Sequence, residues 1–422
     1  MTRLLLLLPT HTYRTAAFVE AARRLGVALT VASELPSTLE PAVPAGLVTL
    51  DFRNPERAAE QARAFTSATP LTGVVGVDDD TAVLAAVIAE ALGLPGNAPA
   101  AAVAARDKHR QRVVLAAAGV PVPAFTLHQI DEDPEAVGRG VRYPCVLKPL
   151  RLSASRGVIR ADDLTGFVGA ARRLAGILAE PDVAACGEPA RQFLVEDYVP
   201  GVEVALEGLL VGGRLHVLAV FDKPDPLEGP FFEETIYVTP SRLPAPAQGA
   251  VRQAAQAAAR ALGLREGPVH AELRVNERGV WVIEVAARPI GGRCSAVLRF
   301  RGAGSGERDA PDPAGLVSLE EILIRHALGW PIASLEREEL AAGVLMIPTP
   351  RAGVLREVRG QPAARAVPLI EDVAVTVPPG QRLVPLPEGS RYLGFIFARG
   401  PSPAAVEAAL RAAHGRLDIV LD

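Results

Sequence analysis

PVHAELRVNERGVWVIEVAAR, residues 268–288, reads as two strands joined by a tight turn. Pro268–Val275 and Val280–Ala286 are rich in apolar residues, and Asn276-Glu277-Arg278-Gly279 between them carries turn residues. Strand alternation puts His270, Glu272 and Arg274 on one face, away from Val269, Ala271, Leu273 and Val275. A three-residue loop, Glu277-Arg278-Gly279 with Gly279 left-handed, pairs Asn276 with Val280 and sets Glu272 directly opposite Glu284. A two-residue loop would instead set Glu272 opposite Ile283 and turn Glu284 to the other face. Opposed like charges destabilise a bare sheet, and a carboxylate in an apolar stripe needs a partner. A bound cation inverts that cost. Glu272 and Glu284 are therefore expected to bind a metal.

Other charged residues stand along the chain in an order that phosphoryl transfer would use. Arg106-Asp107-Lys108 opens a helix, and Val146-Leu147-Lys148-Pro149 is a strand ending in lysine. Ser153-Ala154-Ser155-Arg156-Gly157 is a loop of small residues, and Leu194-Val195-Glu196-Asp197-Tyr198 is a strand ending in acid. Glu203 follows Gly201, and Arg288 closes the series. Lysines neutralise a triphosphate, and backbone N–H groups of small residues wrap it. Magnesium takes one or two carboxylates plus phosphate oxygens. No G-x-x-x-x-G-K-[ST] occurs, which excludes a P-loop.

Outward from these motifs, Leu4–Leu8, Ala28–Ala32 and Gly73–Val77 read as strands alternating with helices Ala16–Leu25 and Thr81–Leu92, the pattern of a parallel sheet. Asp78-Asp79-Asp80 suits helix capping better than a metal cluster. Thr10–Arg14 lies where open α/β sheets bind ligands, and reads equally as a plain loop. Asp107–Ala118 and Leu164–Leu178 read as helices, and Val204–Val211 with Leu215–Phe221 as a hairpin about Gly212-Gly213. Gly302–Gly315 reads as a linker, and Gly343–Ile347, Leu393–Ala398, Pro403–Ala413 and Leu417–Leu421 as a small α+β unit.

At 422 residues the chain is too long for one core. A net charge of -4 without a basic stripe argues against nucleic acid. No apolar run reaches the ~18 residues of a membrane span, and Leu4–Leu8 is too short for a signal peptide. Cys145, Cys186 and Cys294 form no pattern, so a cytoplasmic protein with reduced thiols is expected.

The ordered set resembles the ATP-grasp superfamily, and more narrowly the L-amino acid ligases that form dipeptides and related amides. Pro95-Gly96-Asn97, Asp107–Arg112, Ala118–Pro123, Pro144–Lys148, Ser153–Val158, Phe193–Glu203, Glu272–Gly292, Gly353-Val354-Leu355 and Leu393–Ile396 carry the resemblance. It implies an α/β N-terminal domain with a parallel sheet (residues 1–105), a two-lobed ATP-grasp domain (106–300, small lobe about 120–195), a linker (301–340) and a small α+β C-terminal domain (341–422).

The same resemblance implies an ADP-forming carboxylate–amine ligase using ATP and Mg²⁺, with Mn²⁺ as a substitute. Its partners would be a small-molecule acid and amine, and a homodimer stays open. Lys108 and Lys148 would bind the phosphates, with Ser153, Ser155 and Gly157 in the flap over them. Glu196, Tyr198 and Val199 would line the adenine site, and Glu203 would hold the ribose. Glu272 and Glu284 would hold magnesium. Arg288, with Gly291 and Gly292, would hold the acyl substrate, and Glu234 and Tyr237 would line the amino-acid pocket. Ala286 stands where many members carry a metal-binding asparagine, and the flap has one glycine. Two rivals remain: an ATP-grasp enzyme of a purine- or bicarbonate-type pathway, and a catalytically silent ATP-binding protein.

Overall fold

The computed structural model describes residues 2–10, 12–302, 315–332 and 334–422. Arg3–Leu7 forms the middle of a four-stranded parallel sheet, between Ala28–Ser33 and Gly73–Gly76, with Leu47–Thr49 at one edge. Leu4–Leu7 are buried on both faces, which is why this strand is a continuous apolar run. Helix Thr15–Arg24 buries Phe18, Ala21 and Ala22, and Gly26 leaves it with φ +64°. Helix Asp79–Leu92 starts from a capping box in which Asp78 accepts from Thr81 N at 2.9 Å.

The small lobe is a four-stranded antiparallel sheet in the order Phe125–Gln129, Gln192–Asp197, Cys145–Pro149, Ile159–Ala161. Helix Leu164–Leu178 lies at its expected bounds and buries Phe167 and Leu174. The large lobe is an eight-stranded sheet, and strands Ala341–Ile347 and Gly394–Gly400 belong to it. Ile236–Thr239 joins them to Arg214–Asp222, so hydrogen bonding runs unbroken from the Gly279–Ala286 edge into the C-terminal residues. Residues 303–314 of the expected linker lie outside the described residues.

The hairpin departs from expectation in one respect. Its loop has two residues, Glu277 and Arg278, and Asn276 pairs with Gly279. Asn276 Oδ1 accepts from Arg278 N at 2.9 Å, an Asx turn that closes the chain one residue sooner than the glycine position suggested. Carried on regularly, that register would oppose Glu272 to Ile283. A β-bulge intervenes: Leu273 pairs with Val282 and Glu272 with Glu284, leaving Ile283 as the extra residue. The two carboxylates are opposed as expected, through a shorter loop plus a bulge. Asp78→Ala is expected to lose the capping box and destabilise the N-terminal unit by ~1 kcal/mol, read as a lower thermal midpoint; an unchanged midpoint would refute the capping role.

Candidate active site

Asp107 caps helix Lys108–Ala117 by accepting from Arg110 N, which fixes Lys108 at its first position. Lys108 is buried, not a surface lysine: its Nζ donates to Leu152 O at 2.9 Å and lies 3.2 Å from Glu284. Lys148 ends the central strand of the small lobe, and its Nζ lies 2.7 Å from Glu196 on the neighbouring strand. Arg112 Nε lies 2.7 Å from the other oxygen of Glu196. Burial alone would raise the Glu196 carboxyl, but Arg112 and Lys148 overcome it and hold it down at about 2. The Glu196 side chain thus holds two cations together at the place expected for adenine.

A lysine absent from the sequence expectations sits at the centre of the large lobe. Lys223 Nζ lies 2.8 Å from Glu203, 2.5 Å from Glu234 and 2.9 Å from Glu272. Burial works against its charge, but the three carboxylates outweigh burial and hold the ammonium well above its ordinary range. Burial and the adjacent Glu272 raise Glu234 to about 8, although Lys223 opposes them. Glu272 is held well below the usual carboxylate range: burial is outweighed by Lys223 and His270. Glu203, expected at the ribose, gives its second oxygen to Arg274 Nε at 2.8 Å. Tyr237 packs beneath, its ring centroid 5.0 Å from Lys223 Nζ. The signal for Lys223 is legible in retrospect: Phe221-Asp222-Lys223-Pro224 repeats the strand-end Lys-Pro of Lys148-Pro149.

Arg288 follows the hairpin, and its Nε donates to Asp79 Oδ1 at 2.9 Å. Asp79 also accepts from the flap hydroxyl of Ser153 at 2.8 Å, and Asp80 accepts from Arg106 at 2.8 Å. The acidic triplet therefore divides its work. Asp78 caps the helix as expected, while Asp79 and Asp80 tie the N-terminal sheet to the site. Arg14 Nη2 donates to the carbonyls of Pro289 and Ile290 at 3.1 and 2.6 Å, so this loop supports the backbone after Arg288. His11 in the same loop lies outside the described residues. Gly292 has φ +59°, and a Cβ there would run into the Met346 sulfur.

These groups surround one cavity of about 460 Å³, within the range of small-ligand sites. Lys108, Lys148, Ser153, Ser155, Glu196, Tyr198, Val199 and Glu203 all line it, together with Leu227 and Phe232. Glu272, Glu284, Arg288, Gly291, Gly292, Glu234 and Tyr237 line it as well. Gly157 is the exception: at the end of the flap it is buried and does not line the cavity, and its N–H donates to Pro387 O at 2.9 Å. The Val199 carbonyl accepts from Arg274 at 2.7 Å. His270 also lines the cavity, 3.7 Å from Glu272 and 3.9 Å from the fully buried Glu207.

Glu272 and Glu284 present hard oxygen donors from opposed strand positions, a set that fits magnesium. Ala286, buried and lacking a donor, adds no third oxygen. Glu203, Glu234 and Glu272 also form a compact carboxylate cluster. Its cation is already supplied, because the Lys223 ammonium touches all three.

Glu196 makes stability pH-dependent. Its folded value of about 2 lies below its ordinary 4.5, so its contribution is fully present above about pH 4.5 and lost as pH falls through 2. That contribution is roughly 3 kcal/mol. Glu196→Gln should remove this acid dependence and, by stranding Arg112 and Lys148, cost ~3–5 kcal/mol at pH 7. Thermal midpoints followed from pH 7 to 3 check it; identical curves for both proteins would refute it.

Three family models match the chain: an ATP-grasp N-terminal domain over residues 19–96, an ATP-grasp domain over 141–297 and an L-amino acid ligase C-terminal domain 2 over 345–422. An uncharacterized protein, y4rH of Sinorhizobium fredii (strain NBRC 101917 / NGR234), is 28% identical over 357 residues, covering 82% of this chain and 68% of that protein. The alanine–anticapsin ligase of Bacillus subtilis is 28% identical over 212 residues, 47% of this chain and 44% of the ligase. The chain thus matches about two thirds of the first relative's length and less than half of the second's. The crystal structure of L-amino acid ligase from Bacillus licheniformis superposes with a TM-score of 0.77 at 25% identity, covering 100% of this chain and 99% of that one. With the two-lobed fold and the charged cavity between the lobes, these likenesses show that the chain belongs to the ATP-grasp superfamily and resembles its L-amino acid ligase branch.

Proposed function

We infer that this protein is an ATP-dependent carboxylate–amine ligase that forms ADP and acts on an amino acid or a related small acid. One observation carries the reading: Lys108, Lys148, Arg288 and the opposed Glu272 and Glu284 converge on a single cavity between the lobes. The likeness to ligases of amino acids supports the substrate class.

ATP would lie with its base in the slot of Val146, Leu227 and Phe232 and its phosphates toward Lys108 and Lys148. The substrate carboxylate attacks the γ-phosphorus in line, the bond to the ADP oxygen breaks, and an acyl-phosphate forms. Lys148 and Arg288 offset the charge gathering on the transferring group. Magnesium, held by Glu272 and Glu284, would supply Lewis-acid stabilisation of the phosphate oxygens. The amine then attacks the acyl carbon, forming the C–N bond and expelling phosphate. No side-chain nucleophile is needed, because positioning and electrostatics carry the reaction. The flap, tied by Ser153 to Asp79, keeps water from the acyl-phosphate.

No described helix is long and apolar enough to cross a membrane, and the three cysteines are free. Those facts support our placement of the protein in the cytoplasm. A catalytically silent binder is the second reading, favoured by Ala286; it would bind ATP and release no phosphate with any amino acid.

Arg288→Ala and Lys148→Ala are each expected to lower turnover by ~10²–10³, the effect of removing a charge contact made in the transition state. Phosphate release over pooled amino acids measures it, with circular dichroism as the folding control. Near-normal turnover would sink the assignment. The nucleotide product should be ADP; AMP on chromatography would place the protein in another ligase class.

A further inference from the structure

The loop after strand Arg382–Leu383 reaches out of the C-terminal residues and touches the flap of the small lobe. Pro387 O accepts from Gly157 N at 2.9 Å, and Glu388 O accepts from Arg156 Nε at 2.8 Å. The Glu388 carboxylate grips the Arg173 guanidinium with both oxygens, Nη2 to Oε2 at 2.8 Å. Such a bidentate pair fixes orientation as well as distance. The loop is itself shaped by a tight turn in which Gly389 N donates to Pro385 O at 2.9 Å and a Cβ on Gly389 would run into Val384 O.

Two features make this contact more than surface decoration. Ala154 and Ser155 in the flap hold φ of +54° and +55°, a region that costs non-glycine residues energy and persists only where the surroundings impose it. The bonds to Gly157 and Arg156 are such an imposition. The far end of the same loop enters the cavity, where Ser390 and Tyr392 form part of the wall beside Phe395.

We propose that residues 386–392 are a clasp that couples occupation of the substrate end of the cavity to closure of the flap: the Glu388 carboxylate anchors the loop to Arg173 on helix Leu164–Leu178, so that the backbone carbonyls of Pro387 and Glu388 hold Gly157 and Arg156 of the flap. The proposal rests on the reading that residues 153–157 cover bound nucleotide. A ligand shifts a conformational equilibrium only through contacts that differ between the two states. Tyr392 and Ser390 supply such contacts at one end of the loop, and Pro387 and Glu388 transmit them at the other. A flap that closes best over a filled pocket would protect an activated carboxyl from water.

Limited trypsin digestion of the full chain tests this by reading cleavage after Arg156, without ligand and with Mg²⁺ and a nonhydrolysable ATP analogue. Glu388→Ala is expected to speed cleavage about three- to fivefold without ligand, the scale of an exposed ion pair, and to raise the KM for ATP by a similar factor with kcat kept. Exchanging the charges, Glu388→Arg with Arg173→Glu, should restore slow cleavage and a low KM. Wild-type cleavage in Glu388→Ala, or an exchange no better than its single variants, overturns the clasp. Wild-type protein that fails to bind the analogue overturns instead the nucleotide reading and the coupling built on it.

Discussion

The Lys223 ammonium, held among Glu203, Glu234 and Glu272, is the interaction on which the large lobe's site depends. Each carboxylate comes from a different segment, and none could be buried there alone without a large desolvation cost. One cation bridges all three and fixes their geometry. Glu203 passes the constraint on to Arg274, which also binds the carbonyls of Val199 and Leu227. The walls of the proposed nucleotide slot therefore inherit their positions from a buried charge cluster. Glu234, raised to about 8 by burial and by Glu272, shows the same strain from the other side: the cluster has more carboxylate than one ammonium can neutralise.

The N-terminal sheet contributes through charges at its carboxyl edge. Asp79 sits at the start of a helix, where the positive end of the helix dipole favours an anion. From there it receives Arg288 and Ser153, one from the large lobe and one from the flap. Burial would raise its carboxyl, but Arg288 and Arg106 outweigh burial and hold it below the ordinary range. Arg288 is correspondingly held above its ordinary value, burial again being outweighed by Asp79. The N-terminal sheet and the large lobe share an apolar core, in which Leu4, Leu6 and Val75 cluster with Leu209, Phe221 and Val344, and these ionic contacts add the flap of the small lobe, whose own core is separate.

Much of the architecture was legible because it rests on local periodicity. Leu4–Leu7 had to be a buried strand, Leu164–Leu178 had to be a helix, and the Gly212-Gly213 hairpin had to turn where it does. The ordered lysines, acids and arginine were legible too, because their residue types state their chemistry. Less legible were strands such as Ile236–Thr239, only four residues long, whose existence depends on neighbours supplied from residues 214–222 and 341–347.

The hairpin marks the boundary between the two kinds of knowledge. Alternation in the sequence determined that Glu272 shares a face with His270 and Arg274, since a strand's period of two allows nothing else. The register was decided in three dimensions: an Asx turn at Asn276 shortened the loop, and a bulge at Ile283 returned Glu284 to face Glu272. The Ile283 carbonyl freed there is held by Arg112, the same arginine that pairs with Glu196. What each charged residue could do was written in its side chain. Which charge it would meet was decided only by folding, because Lys223 with Glu203, Asp79 with Arg288 and Lys148 with Glu196 are pairs that no local pattern relates.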